Sequence, residues 1–315
     1  MTESFPSHDT CSSESDDFDE LSLHSDDFDD DFVFGFSLSD DDEMGDDDDS
    51  CPVGDDDEED EEDEEGDDDD EEEECEGVFE AAIEAANEGD GEAMNRVGQC
   101  FAKGQGVHQN RRKAFEWFMK AAECGCADGM NSVGECFAKG HGTEQDFGKA
   151  YEWFMKSAKN RNGKAMRNSG MCFEKGMGVP KDMCKAYEWY LKAANSGDAG
   201  GMQCVGLCYW DGKGVAQDKA KAYEWYLKAA KKKNVEAMNS VGQCYQRGEG
   251  TPQCPKKAVF WFKKAMEKGH AQATFNMAQC LRDGFGVAAD PHEAARLFQL
   301  AHDLGCDCPT LPHSP

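Results

Sequence analysis

Sixteen cysteines stand in this chain of 315 residues, and six of them keep a strict interval. Cys100, Cys136, Cys172, Cys208, Cys244 and Cys280 each lie 36 residues from the next. Thiolates can hold zinc or carry redox chemistry. Cys124 with Cys126, and Cys306 with Cys308, form C-x-C pairs, and His302 and His313 flank the second. Common zinc spacings are wider and a second pair is missing nearby, so no metal site is assigned. Cys204 and Cys208, one helical turn apart, carry no more than that. The six-membered ladder reads better as packing. In a helical array, equivalent residues are separated by a whole helix pair, and packed helices lie ~8–10 Å apart. A disulfide needs Cα atoms within about 7 Å. Free cysteine is a small, commonly buried residue, and that is the expected role here.

The motifs of catalysis are missing. There is no G-x-x-x-x-G-K-[ST] loop, no H-E-x-x-H and no G-x-S-x-G. The many G-x-G pairs follow no strand, so a dinucleotide reading fails on context. No catalytic residue, cofactor or metal is assigned, and an enzyme is not expected.

The charge divides the chain in two. Residues 1–76 hold 40 Asp and Glu and no Lys or Arg, within a formal net charge of −35. The rest holds 27 acids against 32 bases, a net of about +5. Runs such as DDDEEDEEDEEGDDDDEEEE (55–74) offer almost no apolar surface to offset chain entropy. Residues 1–76 are therefore expected to be a disordered acidic arm. Phe18, Phe28, Phe32, Phe34 and Phe36 punctuate the acids at 16–44, a texture that suits a short docking motif as well as solubilising disorder. Ser13, Ser37 and Ser39 each have an acid three residues on, as acidophilic kinases accept. No signal-like start and no run of ~18 apolar residues is visible, so cytoplasm or nucleus is expected and a membrane is not.

The elements that must position these residues follow from the period. Gly104, Gly140, Gly176, Gly212, Gly248 and Gly284 are 36 apart, and Gly106 to Gly286 repeat the step two residues later. Trp117, Trp153, Trp189, Trp225 and Trp261 keep it too, until Leu297 takes the place. Six units run without a gap: 90–125, 126–161, 162–197, 198–233, 234–269 and 270–305. Residues 77–89 match the second half of one more, and 306–315 are a tail. Each unit reads as two helices. In the first, helix A covers about 91–103, with Ala93, Val97 and Phe101 on one face. Interior Gly98 costs about 1 kcal/mol against Ala, which makes sense where another helix approaches closely. Gly104 suits a left-handed C-cap. Asn110, Asp146, Asp182, Asp218 and Asp290 hold one column, in five of six units, and suit the N-cap of helix B.

KAYEWYLKAA occurs at 185–194 and again at 221–230. One helix pair cannot bury its own apolar face, and a neighbour making the same contact needs the same residues. The expected fold is all-α: a right-handed α/α superhelical solenoid of 36-residue helix-turn-helix repeats behind the disordered acidic segment.

The unit A-x-x-x-V-G-x-C-[FY]-x-x-G-x-G-V…[DN]-x-x-K-A-[FY]-E-W-[FY]-x-K-A-A resembles the Sel-1-like repeat, a relative of the tetratricopeptide repeat, over about 77–305. The resemblance implies a solenoid that binds other proteins, often as an adaptor, with no catalytic centre. One branch of that family carries disulfides between cysteines eight apart; Ala122 and Met130 hold the matching positions here, so this chain departs from it. Another branch serves endoplasmic-reticulum degradation and would need a signal that is not visible.

Two surfaces remain. The lysine columns Lys113 to Lys257 and Lys120 to Lys264 could bind an acidic chain or nucleic acid, but Glu116, Glu152, Glu188 and Glu224 sit among them. Glu then Lys at i, i+4 predicts a mutually paired, solvated face, and nucleic acid is disfavoured. Two places escape that pairing, KKK at 231–233 and the group Lys159, Arg161, Lys164 and Arg167. On helix A, Asn95, Asn131, Arg167, Gln203 and Asn239 share one column; Gln99, Glu135, Met171, Leu207 and Gln243 share the next, and Trp210 stands beside it. These are either ordinary polar helix surface or the lining of a groove. Amides can hold an extended peptide backbone, and an apolar centre with a polar rim suits binding. The expected function is a non-enzymatic scaffold or adaptor for proteins or peptides, monomeric and modulated by its arm. The alternative is a chaperone or decoy in which the arm binds basic proteins such as histones or ribosomal proteins.

Overall fold

The computed structural model describes residues 68–306, and the regular structure among them is entirely helical. The Phe-punctuated stretch, Ser13, Ser37, Ser39, Cys308 and His313 lie outside the described residues. The helices are α1 (Asp68–Asn87), α2 (Gly91–Lys103), α3 (Arg111–Glu123), α4 (Ala127–Lys139), α5 (Phe147–Lys159), α6 (Gly163–Lys175) and α7 (Met183–Asn195). They continue as α8 (Ala199–Asp211), α9 (Lys219–Lys231), α10 (Val235–Arg247), α11 (Pro255–Met266), α12 (Ala271–Asp283) and α13 (Pro291–Asp303). Even-numbered helices are the A helices of six stacked pairs, and odd-numbered helices from α3 onward are the B helices. Helix α1 is a lone B helix, and it starts at Asp68, ahead of the expected arm boundary at 76. Glutamate is a good helix former and carboxylates suit a helix N-terminus, so the helix extends backward.

Within a pair, glycine sets the closeness. A Cβ on Gly98, Gly134, Gly170, Gly206 or Gly242 would stand 2.5–2.7 Å from the ring of Phe118, Phe154, Tyr190, Tyr226 or Phe262. All five rings are buried. The last pair is the natural exception: Ala278 replaces glycine, and Phe298 is only half-buried. The displaced ring stacks edge-on with Phe275 at 5.2 Å instead.

Between pairs, the repeat is written in aromatic contacts. Phe79 with Phe101, Phe115 with Phe137, Tyr151 with Phe173, Tyr187 with Tyr209 and Tyr223 with Tyr245 meet edge-to-face at 5.4–5.7 Å. Such pairs add roughly 0.5–1.5 kcal/mol beyond area burial. At the next step both positions turn aliphatic together, as Val259 and Leu281. The second glycine column also belongs to this interface. A Cβ on Gly142, Gly178, Gly214, Gly250 or Gly286 would collide with the carbonyl oxygen that opens the preceding B helix. The cysteine ladder lies in the same seams: Cys100, Cys136, Cys172, Cys208, Cys244 and Cys280 are buried thiols. Burial pushes the Cys172 thiol up to about 11 and Cys244 to about 12.

Capping closes the local account. Asn110, Asp146, Asp182, Asp218 and Asp290 accept from backbone N–H groups of their B helices. Cys254, the odd member, makes no cap bond and is followed by Pro255. The A helices have a capping column that sequence reading missed: Asp90, Cys126, Asn162, Asp198, Asn234 and His270 each accept from a first-turn N–H. The two terminal helices differ from the inner ones. Helix α1 covers α2 at one end. At the other, α13 has Ala295, Gln299 and His302 where inner repeats carry apolar residues such as Phe115, Met119 and Ala122. All three are exposed, so this face of the terminal helix is less apolar than its counterparts in the inner repeats.

Candidate functional site

The A helices come close enough for one to touch the next, as α2 touches α4 and α6 touches α8. They form the inner wall of the solenoid. That closeness draws part of the expected amide surface into the packing between repeats. Asn95, Asn131 and Asn239 are buried, at 5–7% exposure. Their side chains join successive repeats. Ser132 Oγ donates to Asn95 Oδ1 at 3.0 Å, Asn168 Nδ2 to Asn131 Oδ1 at 2.9 Å and Asn276 Nδ2 to Asn239 Oδ1 at 2.9 Å. Arg167 is also engaged, with its Nε 3.0 Å from Asp198 Oδ2. Gln203, half-buried, stands beside the Cys204 thiol. A polar residue on a helix reads as exposed, but a buried amide that meets another amide is satisfied in place.

The neighbouring column stays accessible. Gln99 is exposed, while Glu135, Met171 and Gln243 are half-buried. Leu207 is 41% exposed although it is a large apolar side chain. Trp210 contributes less: its ring lies 6.2 Å from Tyr226 and Lys219 Nζ sits 4.2 Å from it, so much of the indole is packing. Asn95, Gln99, Asn131 and Glu135 line one groove of about 550 Å³ over the first two repeats. Lys103, Arg111, Lys139 and His141 line it too, and sequence reading did not single them out. Lysine at 103, 139 and 175, before Asp211 breaks the column, is the signal that was there to be found. Burial, Arg111 and Lys139 together hold His141 below the ordinary histidine range.

The outer face differs from its expected pairing. Lys120, Lys156 and Lys228 lie 3.9–4.4 Å from the ring centroids of Trp117, Trp153 and Trp225. No ion pair joins them to Glu116, Glu152 or Glu224 among the described residues. Lys113, Lys149, Lys185, Lys221 and Lys257 cover the rings of Phe101, Phe137, Phe173, Tyr209 and Tyr245 at 5.2–5.7 Å. An exposed Glu–Lys pair contributes only a few tenths of a kcal/mol, and a tryptophan face one turn away competes with it.

Among the described residues, no group of three or more His, Cys, Asp and Glu is arranged to hold a metal. No helix among them is long and apolar enough to cross a membrane.

Comparison with known proteins gives one pattern. The Sel1 repeat matches residues 91–126, 127–162, 163–198, 205–234, 235–270 and 271–306. One similar solved structure is c5321, a protective antigen present in uropathogenic Escherichia coli strains and displaying an SLR fold. It is 30% identical over 72% of this chain and 49% of its own, with a TM-score of 0.61. The chain thus spans about half the length of that antigen. A Sel1 repeat protein from Oxalobacter formigenes is 27% identical over 71% of this chain and 96% of its own, with a TM-score of 0.62. The immunity protein Pa5087 from Pseudomonas aeruginosa, 18% identical over 68% of this chain and 81% of its own at a TM-score of 0.50, is alike in fold alone. No match was found among curated proteins.

Proposed function

The chain belongs to the Sel1 repeat family, whose solenoids generally bind other proteins, and on that premise we propose that it is a non-enzymatic scaffold whose inner wall holds proteins or peptides. The observation that carries this is Leu207, a large apolar side chain left 41% exposed midway along the more accessible of the two helix A columns. Met171 precedes it in the column, and Gln99, Glu135 and Gln243 supply polar flanks. An apolar centre inside a polar rim is the anatomy of a protein-binding patch. The amide ladder beneath fixes the wall, so little ordering remains to be done on binding. The acidic residues 1–76 modulate capture, by steering basic partners or by competing with acidic ones. Ala122 and Met130, where a disulfide-bearing branch of the family carries cysteines, suit a reducing compartment, cytoplasm or nucleus. The protein works as a monomer.

The test is a capture census with full-length protein, with Leu207→Asp, and with a chain that starts at residue 68, which keeps α1 and removes 32 of the arm's 40 carboxylates. The scaffold reading expects capture to be lost in Leu207→Asp and kept, or strengthened, without the arm. The 40 carboxylates of residues 1–76 favour a second reading, a chaperone or decoy for basic proteins. That reading expects capture to vanish with the arm and with added salt, and to ignore Leu207.

A further inference from the structure

The inner wall changes chemistry along its length. Over repeats 1 and 2 the groove collects Lys103, Arg111, Lys139 and His141, with Lys164 entering from repeat 3. Two carboxylates share it, and both have company. Glu135 Oε2 lies 3.5 Å from Lys139 Nζ, and Asp128 Oδ1 accepts from Asn162 Nδ2 at 2.9 Å. Lys103, Arg111 and Lys164 form no ion pair among the described residues. Their charges are gathered without a counter-charge of their own, and burial, Arg111 and Lys139 lower the pKa of the histidine among them. Over repeats 3 and 4 the wall becomes aliphatic, through Met171 and the exposed Leu207.

We infer that the wall reads a short extended segment of a partner protein, with carboxylates at one end and a bulky apolar side chain at the other. The carboxylates seat among Lys103, Arg111 and Lys164; the apolar side chain lies on Met171 and Leu207. This rests on the scaffold reading and adds the partner's chemistry to it. The spacing follows from geometry. Neighbouring A helices in contact stand ~8–10 Å apart, so two repeats cover roughly 16–20 Å. An extended chain advances ~3.3–3.6 Å per residue, which puts the two features about five or six residues apart. Nucleic acid fits less well: single strands are held by bases stacked on exposed aromatic rings, and the centre of this wall is aliphatic.

The test is selection from a display library of random peptides, about twelve residues long, on the immobilised full-length protein. The tightest peptide is then titrated against wild type and variants. Enriched peptides are expected to carry two or more Asp or Glu, with a bulky apolar residue about five or six positions away. Lys103→Glu combined with Arg111→Glu is expected to weaken the selected peptide tenfold or more, and Leu207→Asp similarly, with unchanged thermal midpoints. Raising salt from about 0.1 M to about 0.5 M weakens it further. The bound carboxylates should raise the pKa of His141, read from its imidazole resonances by NMR. Enriched peptides without acids, or binding indifferent to the double charge reversal, overturn this inference and leave the scaffold reading standing. So does a single-stranded RNA of similar length that displaces the peptide. A library that yields no peptide at all overturns both.

Discussion

Gly170 lies beneath the ring of Tyr190, so close that a Cβ would stand 2.6 Å from it. The same contact recurs in four other pairs and loosens only where Ala278 stands. Gly170→Ala should therefore destabilise the protein by about 1–3 kcal/mol through overpacking, even though alanine favours a helix by about 1 kcal/mol. Urea unfolding followed by circular dichroism measures it. A stabilised Gly170→Ala would mean that the two helices are not in close contact.

Arg161 and Lys233 occupy the turn from helix B to the next helix A with φ of 59° and 64°, where the other turns carry glycine. A side chain costs roughly 1–2 kcal/mol in that region, offset in part by the freer unfolded chain that glycine brings. Arg161→Gly and Lys233→Gly should each stabilise the protein by up to about 1 kcal/mol. Their thermal midpoints give the sign.

Cys254 has the extended backbone of an N-cap, φ −143° and ψ 98°, and no acceptor to match. Cys254→Asp should supply the bond that Asp182 makes to Lys185 N at 3.0 Å. Stability should rise by about 1 kcal/mol, and Asp182→Ala should lose about as much.

The ladder thiols titrate late. Burial raises Cys136, Cys172, Cys208 and Cys280 from 9.0 to about 11. The unfolded chain releases these protons first, so it binds fewer of them between pH 9 and 11. Stability is full below pH 9 and falls as pH rises through that window. Denaturation midpoints across the range check it. Alkylation in the native state should reach exposed Cys124 well before any ladder cysteine.

The architecture was legible because every interface repeats. A contact made six times writes its residues six times, and the departures were legible too: Leu297 for tryptophan, Cys254 for the capping acid. The groove was harder. Asn95, Asn131 and Asn239 read as exposed because amides usually are, and only the approach of neighbouring A helices buries them. A hint lay 37 residues on, in Ser132, Asn168 and Asn276, each able to bond the preceding amide. The lysines failed for another reason. Helix spacing allows both a glutamate and a tryptophan within reach, and spacing alone does not rank them.

The inner-wall account is tested most directly by site-specific photo-crosslinking in the full-length protein. One photoreactive residue replaces Leu207 on the inner wall; another replaces exposed Glu188 on helix B. The account predicts that a bound partner is joined from position 207 and not from 188. Joining from 188 alone, or equally from both, would contradict it.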